Sequence, residues 1–164
     1  MISKRIEKAL NEQIREEVFS SYLYLAMHAW FHSNNLSGMA HWMRVQTKEE
    51  QNHAMKIFDY IIERGGAVEL QAIDKPKKEW SSPLEAFKES LTHERHITAC
   101  IHRLLEVAQT EKDYGTVNFL QWFVKEQVEE EGNVEPIVAV LEKVGDNLAA
   151  LYGMDHHLGK RGAD

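Results

Sequence analysis

Apolar and small residues recur along most of the chain with the three-to-four-residue period of an α-helix. The first such segment carries Ile6, Leu10, Ile14, Val18, Ser21, Leu25 and Ala29. Equivalent patterns, bounded by turn and capping residues, predict helices over about 3–33, 38–64, 83–110, 116–144 and 146–158. The tail at 159–164 is mostly small or charged, so we expect it to fray. The pattern predicts an all-α protein with four long helices and one short helix.

The residues at the segment ends support these boundaries. Ser3 and Ser37 are placed to cap the first two helices, and Ser82 precedes a proline at the start of the third. A Gly-Gly pair at 65–66 is a strong signal for a helix end. Pro136 lies inside the fourth segment, where it removes a backbone hydrogen bond, so we expect a kink there.

The stretch between the second and third predicted helices has no helical period. Residues 67–82 contain many polar and turn-forming types, and this is a long irregular segment for a compact domain. A connection of this length lets the chain cross the whole bundle, so that the helices before and after it lie parallel. The sequence therefore predicts a single domain over 1–164, built as a four-helix bundle with a long crossover and a short fifth, C-terminal helix.

Polar residues interrupt the apolar faces of all four long helices. Residues at i and i+3 share a helix face, so Glu50 and His53 can offer an oxygen and a nitrogen to one metal ion. Gln127 and Glu130 form a second i,i+3 pair, inside an acidic run of the fourth helix. Taken singly, each of these residues is more simply a solvated surface group. The candidate set is Glu17, Glu50, His53, Glu94, Gln127 and Glu130.

The spacing of these residues gives the set more weight than its members have alone. Glu17 and Glu50 are separated by 33 residues, and so are Glu94 and Gln127. His53 lies 36 residues after Glu17, and Glu130 lies 36 residues after Glu94. The flanking sequence repeats little. The positions alone predict two helical hairpins with metal-ligand types at corresponding places, as in a ferritin-like carboxylate bundle.

Four inward-facing carboxylates need compensation by cations or protons, and two divalent ions supply the required charge. Oxygen ligands with one imidazole suit a fairly hard first-row ion such as Fe²⁺. We interpret the set as a ferroxidase centre that gives two electrons to O₂. In this interpretation Glu17 and His53 bind the first iron, and Glu50 bridges to the second. Glu94 and Glu130 bind the second iron.

Other polar and aromatic residues lie close to this set in the sequence. Gln127 is neutral and a weak ligand, so it orients bound oxygen or water, or binds a departing ion loosely. Tyr24 lies two turns after Glu17 on the same face, so its hydroxyl can approach the metals; a buried tyrosine with one hydrogen bond is the alternative. A third, more exposed iron position or simply a solvated acidic patch is predicted at Glu49, Glu126, Glu129 and Glu130.

Composition excludes several function classes. Lys and Arg number 19 against 26 Asp and Glu, a formal charge of −7 that argues against a nucleic-acid-binding protein. One cysteine, Cys100, excludes a disulfide framework or a thiolate-rich metal site within one chain. The longest apolar stretch, 22–31, is too short to span a bilayer, and the amphipathic start is no secretory signal. We expect a cytoplasmic protein without a membrane partner.

The chain resembles the bacterial non-haem ferritins over essentially its whole length. The similarity lies in specific motifs at 10–13, 17–24, 49–53, 58–60, 118–124 and 126–131. Haem-binding bacterioferritins differ in carrying Met within the first tetrad, where this chain has Gln51, and in a second Glu-x-x-His. No haem is therefore expected.

The resemblance implies properties that the spacing does not show. Such proteins assemble as hollow shells of 24 subunits with octahedral symmetry, take up Fe²⁺ and O₂ or peroxide, and store ferric oxyhydroxide inside. The family's third site falls on the acidic group named above. Its dinuclear ligands fall on five of the six candidate residues, with Gln127 beside them: Glu17, Glu50, His53, Glu94 and Glu130. Tyr24 and Trp122 match the redox-active aromatic residues near that centre.

Three alternative functions stay open. A rubrerythrin-like peroxidase would need a Cys-rich electron-transfer module, which one cysteine does not provide. A DNA-protecting mini-ferritin would hold its ligands between subunits and often has a basic tail, for which Lys160 and Arg161 are thin support. A plain four-helix interaction module would carry these acids on its surface. We expect an iron-storage ferroxidase.

Overall fold

The computed structural model describes residues 1–162, and every regular element in that range is an α-helix. The five helices are α1 (Lys4–Ser33), α2 (Ser37–Glu63), α3 (Pro83–Thr110), α4 (Tyr114–Val144) and α5 (Leu148–Leu158). Helix α1 packs along α2, α3 packs along α4, and α1 also contacts α3. The all-α prediction is confirmed, and the predicted boundaries agree within two residues.

Two apolar clusters fill the bundle, one towards each end. The first cluster takes its α1 residues from Leu23 to Phe31 and its α2 residues from Met39 to Met43. The second takes its α1 residues from Ile6 to Ile14 and its α2 residues at 57–61. The segments between these two sets contain most of the buried polar residues, which include Glu17, Glu50 and Glu94. The candidate metal ligands therefore form a polar layer across the middle of an otherwise apolar core.

Cluster membership also gives the direction of each helix. The first cluster contains the N-terminal parts of α2 and α3 together with the C-terminal parts of α1 and α4. The second cluster contains the opposite ends of the same helices. Consequently α2 and α3 run parallel, and the connection between them must travel the length of the bundle. The predicted crossover is confirmed.

Side chains fix the crossover to α1 and α3. At its start, the Asn11 amide donates to the Ala67 carbonyl across 3.0 Å and accepts from the Glu69 N–H across 2.8 Å. At its end, Trp80 packs against Trp30 with ring centroids 5.8 Å apart. These contacts hold both ends of an irregular segment against the bundle.

Helix ends agree with the sequence signals in most cases. Ser3 and Ser82 accept hydrogen bonds from the backbone of the first turns of α1 and α3. The expectation for Ser37 was wrong, because α2 begins at Ser37 itself and Leu36 occupies the cap position without a side-chain hydrogen bond. Helix α4 continues through Pro136 as a single helix.

The tail after α5 folds back onto α2, which corrects the expectation of fraying for residues 159–162. Arg161 donates to the Gln46 side-chain oxygen across 2.8 Å and to Glu49 across 2.6 Å. Its carbonyl pairs with the His41 ring at 2.8 Å. The guanidinium also lies 4.4 Å from the centre of the Trp42 ring. The rest of the predicted frayed segment, 163–164, lies outside the described residues.

None of the described helices is both long enough and apolar enough to cross a membrane.

Candidate metal centre

The four long helices each supply at least one buried polar side chain to the layer between the two apolar clusters. All six predicted ligands are almost fully buried, with no residue more than 4% exposed. They are Glu17 from α1, Glu50 and His53 from α2, Glu94 from α3, and Gln127 and Glu130 from α4. The structure therefore excludes the solvated-surface alternative for all six residues.

Glu17, Glu50 and His53 form one compact group. The Nδ1 atom of His53 lies 3.5 Å from Glu50 Oε2 and 3.9 Å from Glu17 Oε2. One ligand atom from each residue lies within 4.8 Å of the other two, so the group could hold a metal ion. Among the described residues, Glu17 Oε2 is the one buried side-chain polar atom without a hydrogen-bond partner. An orphaned buried carboxylate oxygen is costly, and a metal ion would satisfy it.

Glu50, Glu94 and Glu130 form a second group with the same spacing of ligand atoms. Glu50 belongs to both groups and therefore lies between the two candidate metal positions. The Gln127 amide donates to Glu94 Oε2 across 3.2 Å and also to the Glu94 backbone carbonyl. Gln127 thus holds Glu94 in place.

Burial in this layer raises the pKa of all four carboxyl groups. The pKa of Glu17 is raised well above its usual range by burial and then by the charge of Glu50. Burial, followed by Glu94 and Glu130, has the same effect on the pKa of Glu50. Burial raises the pKa of Glu94. The pKa of Glu130 is raised to about 8 by burial and by the nearby Glu94. Without metal, the layer therefore retains protons at neutral pH.

Two glutamines that the sequence analysis missed support the carboxylates. Gln13 donates to Glu17 Oε1 across 2.8 Å. Gln46 donates to Glu130 Oε2 across 2.6 Å and lies 3.3 Å from Glu50 Oε1. Each glutamine stands four residues before the ligand on its own helix, an i,i+4 offset that places both side chains on one face. That shared offset was a signal in the sequence.

Tyr24 lies beside the second group. Its buried hydroxyl donates a short hydrogen bond to Glu94 Oε1. Burial, and then the negative charge of Glu94, raises the pKa of Tyr24 well above its usual range, so the phenol stays protonated. The structure therefore places the Tyr24 hydroxyl against Glu94, with the hydrogen bond that the alternative interpretation requires.

A family model described as Ferritin-like domain matches residues 7–144. This range contains every residue of the polar layer. The chain belongs to the ferritin-like family.

Two sequence relatives of this chain also support its membership of the ferritin-like family. It is 44% identical to a bacterial non-heme ferritin of Bacteroides fragilis (strain 638R), over 98% of this chain and 100% of the relative. It is 42% identical to a bacterial non-heme ferritin of Staphylococcus aureus (strain USA300), over 100% of this chain and 99% of the relative.

The fold of this family member is similar to that of solved ferritins. An open-pore ferritin from the hyperthermophilic archaeon Archaeoglobus fulgidus superimposes with a TM-score of 0.98. It is 49% identical, with 99% of this chain and 100% of that chain covered. An engineered closed form of the same archaeal ferritin has a TM-score of 0.98 over 100% of this chain and 100% of that chain. The ferritin-like bundle predicted from the sequence is thereby confirmed.

The four predicted third-site residues have different environments, and Glu130 alone among them belongs to the buried layer. Glu126 Oε1 lies 3.6 Å from His53 Nε2, and Glu126 and Glu130 form a third group with His53 that could hold a metal ion. Glu49 and Glu129 line an open cavity of about 400 Å³, called the outer cavity below. Glu129 itself is exposed. Glu130 thus faces the central layer and this outer cavity together.

His53 also has an aromatic neighbour at the edge of the layer. The Trp122 and His53 rings meet edge to face, with centroids 5.4 Å apart. Trp122 lines the outer cavity, and Lys56 lies over its ring at 4.3 Å. Of the two aromatic residues expected near the centre, Tyr24 and Trp122, it is Trp122 that lies between the buried layer and the acidic cavity.

Proposed function

We propose that this protein stores iron and has ferroxidase activity. It binds Fe²⁺ at the dinuclear centre, oxidises it with O₂ or peroxide, and deposits ferric oxyhydroxide within a hollow shell. Membership of the ferritin-like family supports iron storage. The observation that carries the finer proposal is the buried layer itself, which contains four carboxylates and leaves one oxygen of Glu17 without a hydrogen-bond partner.

The roles follow from the two groups of ligand atoms. Glu17 and His53 bind the first iron and Glu50, common to both groups, bridges the two positions. Glu94 and Glu130 bind the second iron. The second position lacks an imidazole, so it binds its ion less tightly, which suits an ion that must leave as product.

Charge balance supports a pair of divalent ions. Because burial raises the pKa of each carboxyl group, the metal-free layer carries protons. Two Fe²⁺ ions displace these protons and neutralise four carboxylates, so metal binding releases protons to solvent. A single divalent ion would leave two carboxylates to be protonated or uncompensated.

Gln127 and Tyr24 position the second iron site. Tyr24 donates to Oε1 of Glu94 and Gln127 donates to Oε2, so the two hydrogen bonds fix the orientation of this carboxylate. Supporting donors of this kind typically change metal affinity or activity by about 10- to 100-fold when removed.

Glu49, Glu126, Glu129 and Glu130 form the third iron position of the proposal. Glu130 connects it to the dinuclear centre, since its carboxylate belongs to a group on each side. The third position passes iron between the centre and the shell interior. We further propose that the shell contains 24 copies with octahedral symmetry and is cytoplasmic.

Iron uptake by the assembled protein tests this function. Aerobic addition of Fe²⁺ is expected to give tens or more of soluble Fe³⁺ per chain, in a particle of about 24 chains of 19.0 kDa each. A stable monomer or dimer, or an uptake of only a few Fe³⁺ per chain, would contradict it. The Glu50→Ala variant is the matched control, because it retains the helices and removes the bridging carboxylate.

A further inference from the structure

A cluster of three side chains lies outside the polar layer, between α1 and α3. It consists of Glu16, His96 and Cys100. Cys100 is the single cysteine of the chain. We propose that this cluster is a separate binding site for a borderline-soft divalent cation such as Zn²⁺, independent of the dinuclear centre.

The three ligand atoms converge on one point. His96 Nε2 lies 2.9 Å from Glu16 Oε2 and 3.5 Å from Cys100 Sγ. One ligand atom from each residue lies within 4.8 Å of the others. In a tetrahedral zinc site with bonds of about 2.0–2.3 Å, neighbouring ligand atoms are roughly 3.3–3.7 Å apart. Little movement is therefore needed to admit the ion.

Each of the three side chains has a hydrogen-bond partner, yet no hydrogen bond joins all three ligand atoms. One nitrogen atom, Nε2 of His96, faces both the Glu16 oxygen and the Cys100 sulfur. A ring nitrogen carries either one proton or one lone pair, directed along a single line. It can therefore serve one of these two partners well. A cation between the three atoms binds all of them at once.

The backbone presents the ligands in a fixed arrangement. His96 and Cys100 are four residues apart on α3, so they share a helix face, and Glu16 approaches from α1. Glu16 and Glu17 are adjacent on α1, and an offset of about 100° per residue directs them to different sides. Glu17 enters the central layer, and Glu16 therefore does not.

Two arginines hold the ligands without blocking the ligand atoms. Arg15 donates to Glu16 Oε1 across 2.6 Å and leaves Oε2 facing His96. Burial and then the charge of Glu16 raise the pKa of the Cys100 thiol, and Arg103, which donates to Cys100 Sγ across 3.0 Å, partly opposes this. When the ion binds, the Cys100 thiol loses its proton to solvent. The thiolate and the Glu16 carboxylate then balance the two positive charges.

A fourth ligand can reach the ion as water. A cavity of about 270 Å³ adjoins the cluster and is lined in part by Glu16, Cys100 and Arg103. Three protein ligands and a water complete a tetrahedral set. The thiolate distinguishes this site from the central layer, whose ligands are oxygens and one imidazole, so it selects Zn²⁺ or Co²⁺ over Fe²⁺.

Cobalt absorption provides a specific test because Cys100 is the single sulfur of its kind in the chain. We expect anaerobic Co²⁺ titration of the assembled protein to give a sulfur-to-cobalt charge-transfer band in the near ultraviolet. Zn²⁺ should then displace Co²⁺ and remove the band. Cys100→Ser should abolish it, and His96→Ala or Glu16→Gln should weaken Co²⁺ binding about tenfold or more.

Matched controls separate this site from its surroundings. His102→Ala, which removes an exposed histidine on the same helix, should leave the band unchanged. Glu50→Ala should also retain it, because the dinuclear centre is a different site. Absence of the band in the unaltered protein, or a band that persists at full strength in both His96→Ala and Glu16→Gln, would overturn the proposal.

Discussion

The guanidinium of Arg161 donates to the Glu49 carboxylate across 2.6 Å, although the two residues are 112 positions apart. Both side chains are 18% exposed. A second nitrogen of the guanidinium holds Gln46, which in turn donates to Glu130 of the dinuclear centre. The C-terminal segment thus places a fixed positive charge beside the proposed third iron position.

Replacing Arg161 by Ala is expected to increase cation binding at the third position. The arginine competes with iron for Glu49, and a partly exposed ion pair of this kind contributes about 0.2–1 kcal/mol. The affinity for the most weakly bound Fe²⁺ of each chain should rise by about 1.4- to fivefold in anaerobic calorimetry. Lys160→Ala, one residue away and exposed, is the control. An unchanged isotherm for Arg161→Ala would show that the ion pair does not compete.

Removal of a ligand from the dinuclear centre should slow the first oxidation. Glu50→Ala deletes the carboxylate common to both metal groups, and His53→Ala deletes the imidazole. Removing a residue that only hydrogen-bonds to a metal ligand typically lowers activity about tenfold or more. The initial rate of Fe²⁺ oxidation should therefore fall by at least that factor in stopped-flow absorbance. Initial rates equal to those of the unaltered protein would refute the assignment.

Glu129 offers a contrasting case because it is exposed and lines the outer cavity without joining a close ligand group among the described residues. Glu129→Ala is expected to leave the first oxidation of about two Fe²⁺ per chain intact and to change the rate of later additions. Sequential Fe²⁺ additions to one sample separate the two phases. Loss of the first phase would place Glu129 in the dinuclear centre instead.

Stability of the metal-free protein should fall as pH rises from about 6.5 to 8. Burial and the nearby Glu94 raise the pKa of Glu130 to about 8, so the folded state binds a proton that the unfolded state releases above about 4.5. Burial lowers the pKa of His93 to about 4, and this group costs stability at pH values below about 6.5. Between pH 6.5 and 8, the carboxyl groups therefore control the slope.

Thermal unfolding across this pH window checks the sign. The melting temperature of metal-free protein should decrease with rising pH, and the decrease should be smaller in Glu130→Gln, which has no proton to lose. Saturation with a divalent cation should raise the melting temperature most at the higher pH. A melting temperature that rises between pH 6.5 and 8 would contradict the raised pKa values.

Close packing at Gly38 joins α5 to the bundle. A Cβ atom there would lie 1.7 Å from the Asp155 carbonyl oxygen, and the neighbouring Met39 N–H donates to Asp155 Oδ1 across 2.7 Å. Gly38→Ala must therefore displace α5, at a cost of about 1–3 kcal/mol. At Gly153, a Cβ atom would meet nothing within 4 Å, so Gly153→Ala should be neutral or slightly stabilising. Denaturant titration of both variants measures the two changes in stability. Equal midpoints for both variants would show that α5 does not depend on this contact.

The sequence alone determined the helices and the register of the central ligands. Helical periodicity and i,i+3 pairing are local, so Glu50 and His53 share a face whatever α2 packs against. The equal intervals of 33 residues then matched Glu17 and Glu94 to the corresponding second-helix positions. The length of the irregular stretch was enough to predict a crossover, because a hairpin does not need it.

Only the tertiary structure decided which distant side chains meet. The contacts of Arg161 with Gln46 and Glu49 depend on the path of the tail after α5, which no local pattern encodes. The convergence of Glu16 on Cys100 depends on how α1 and α3 are rotated against each other. Such contacts follow from the packing of whole helices, whereas spacing along the chain specifies only which side chains share one helix face.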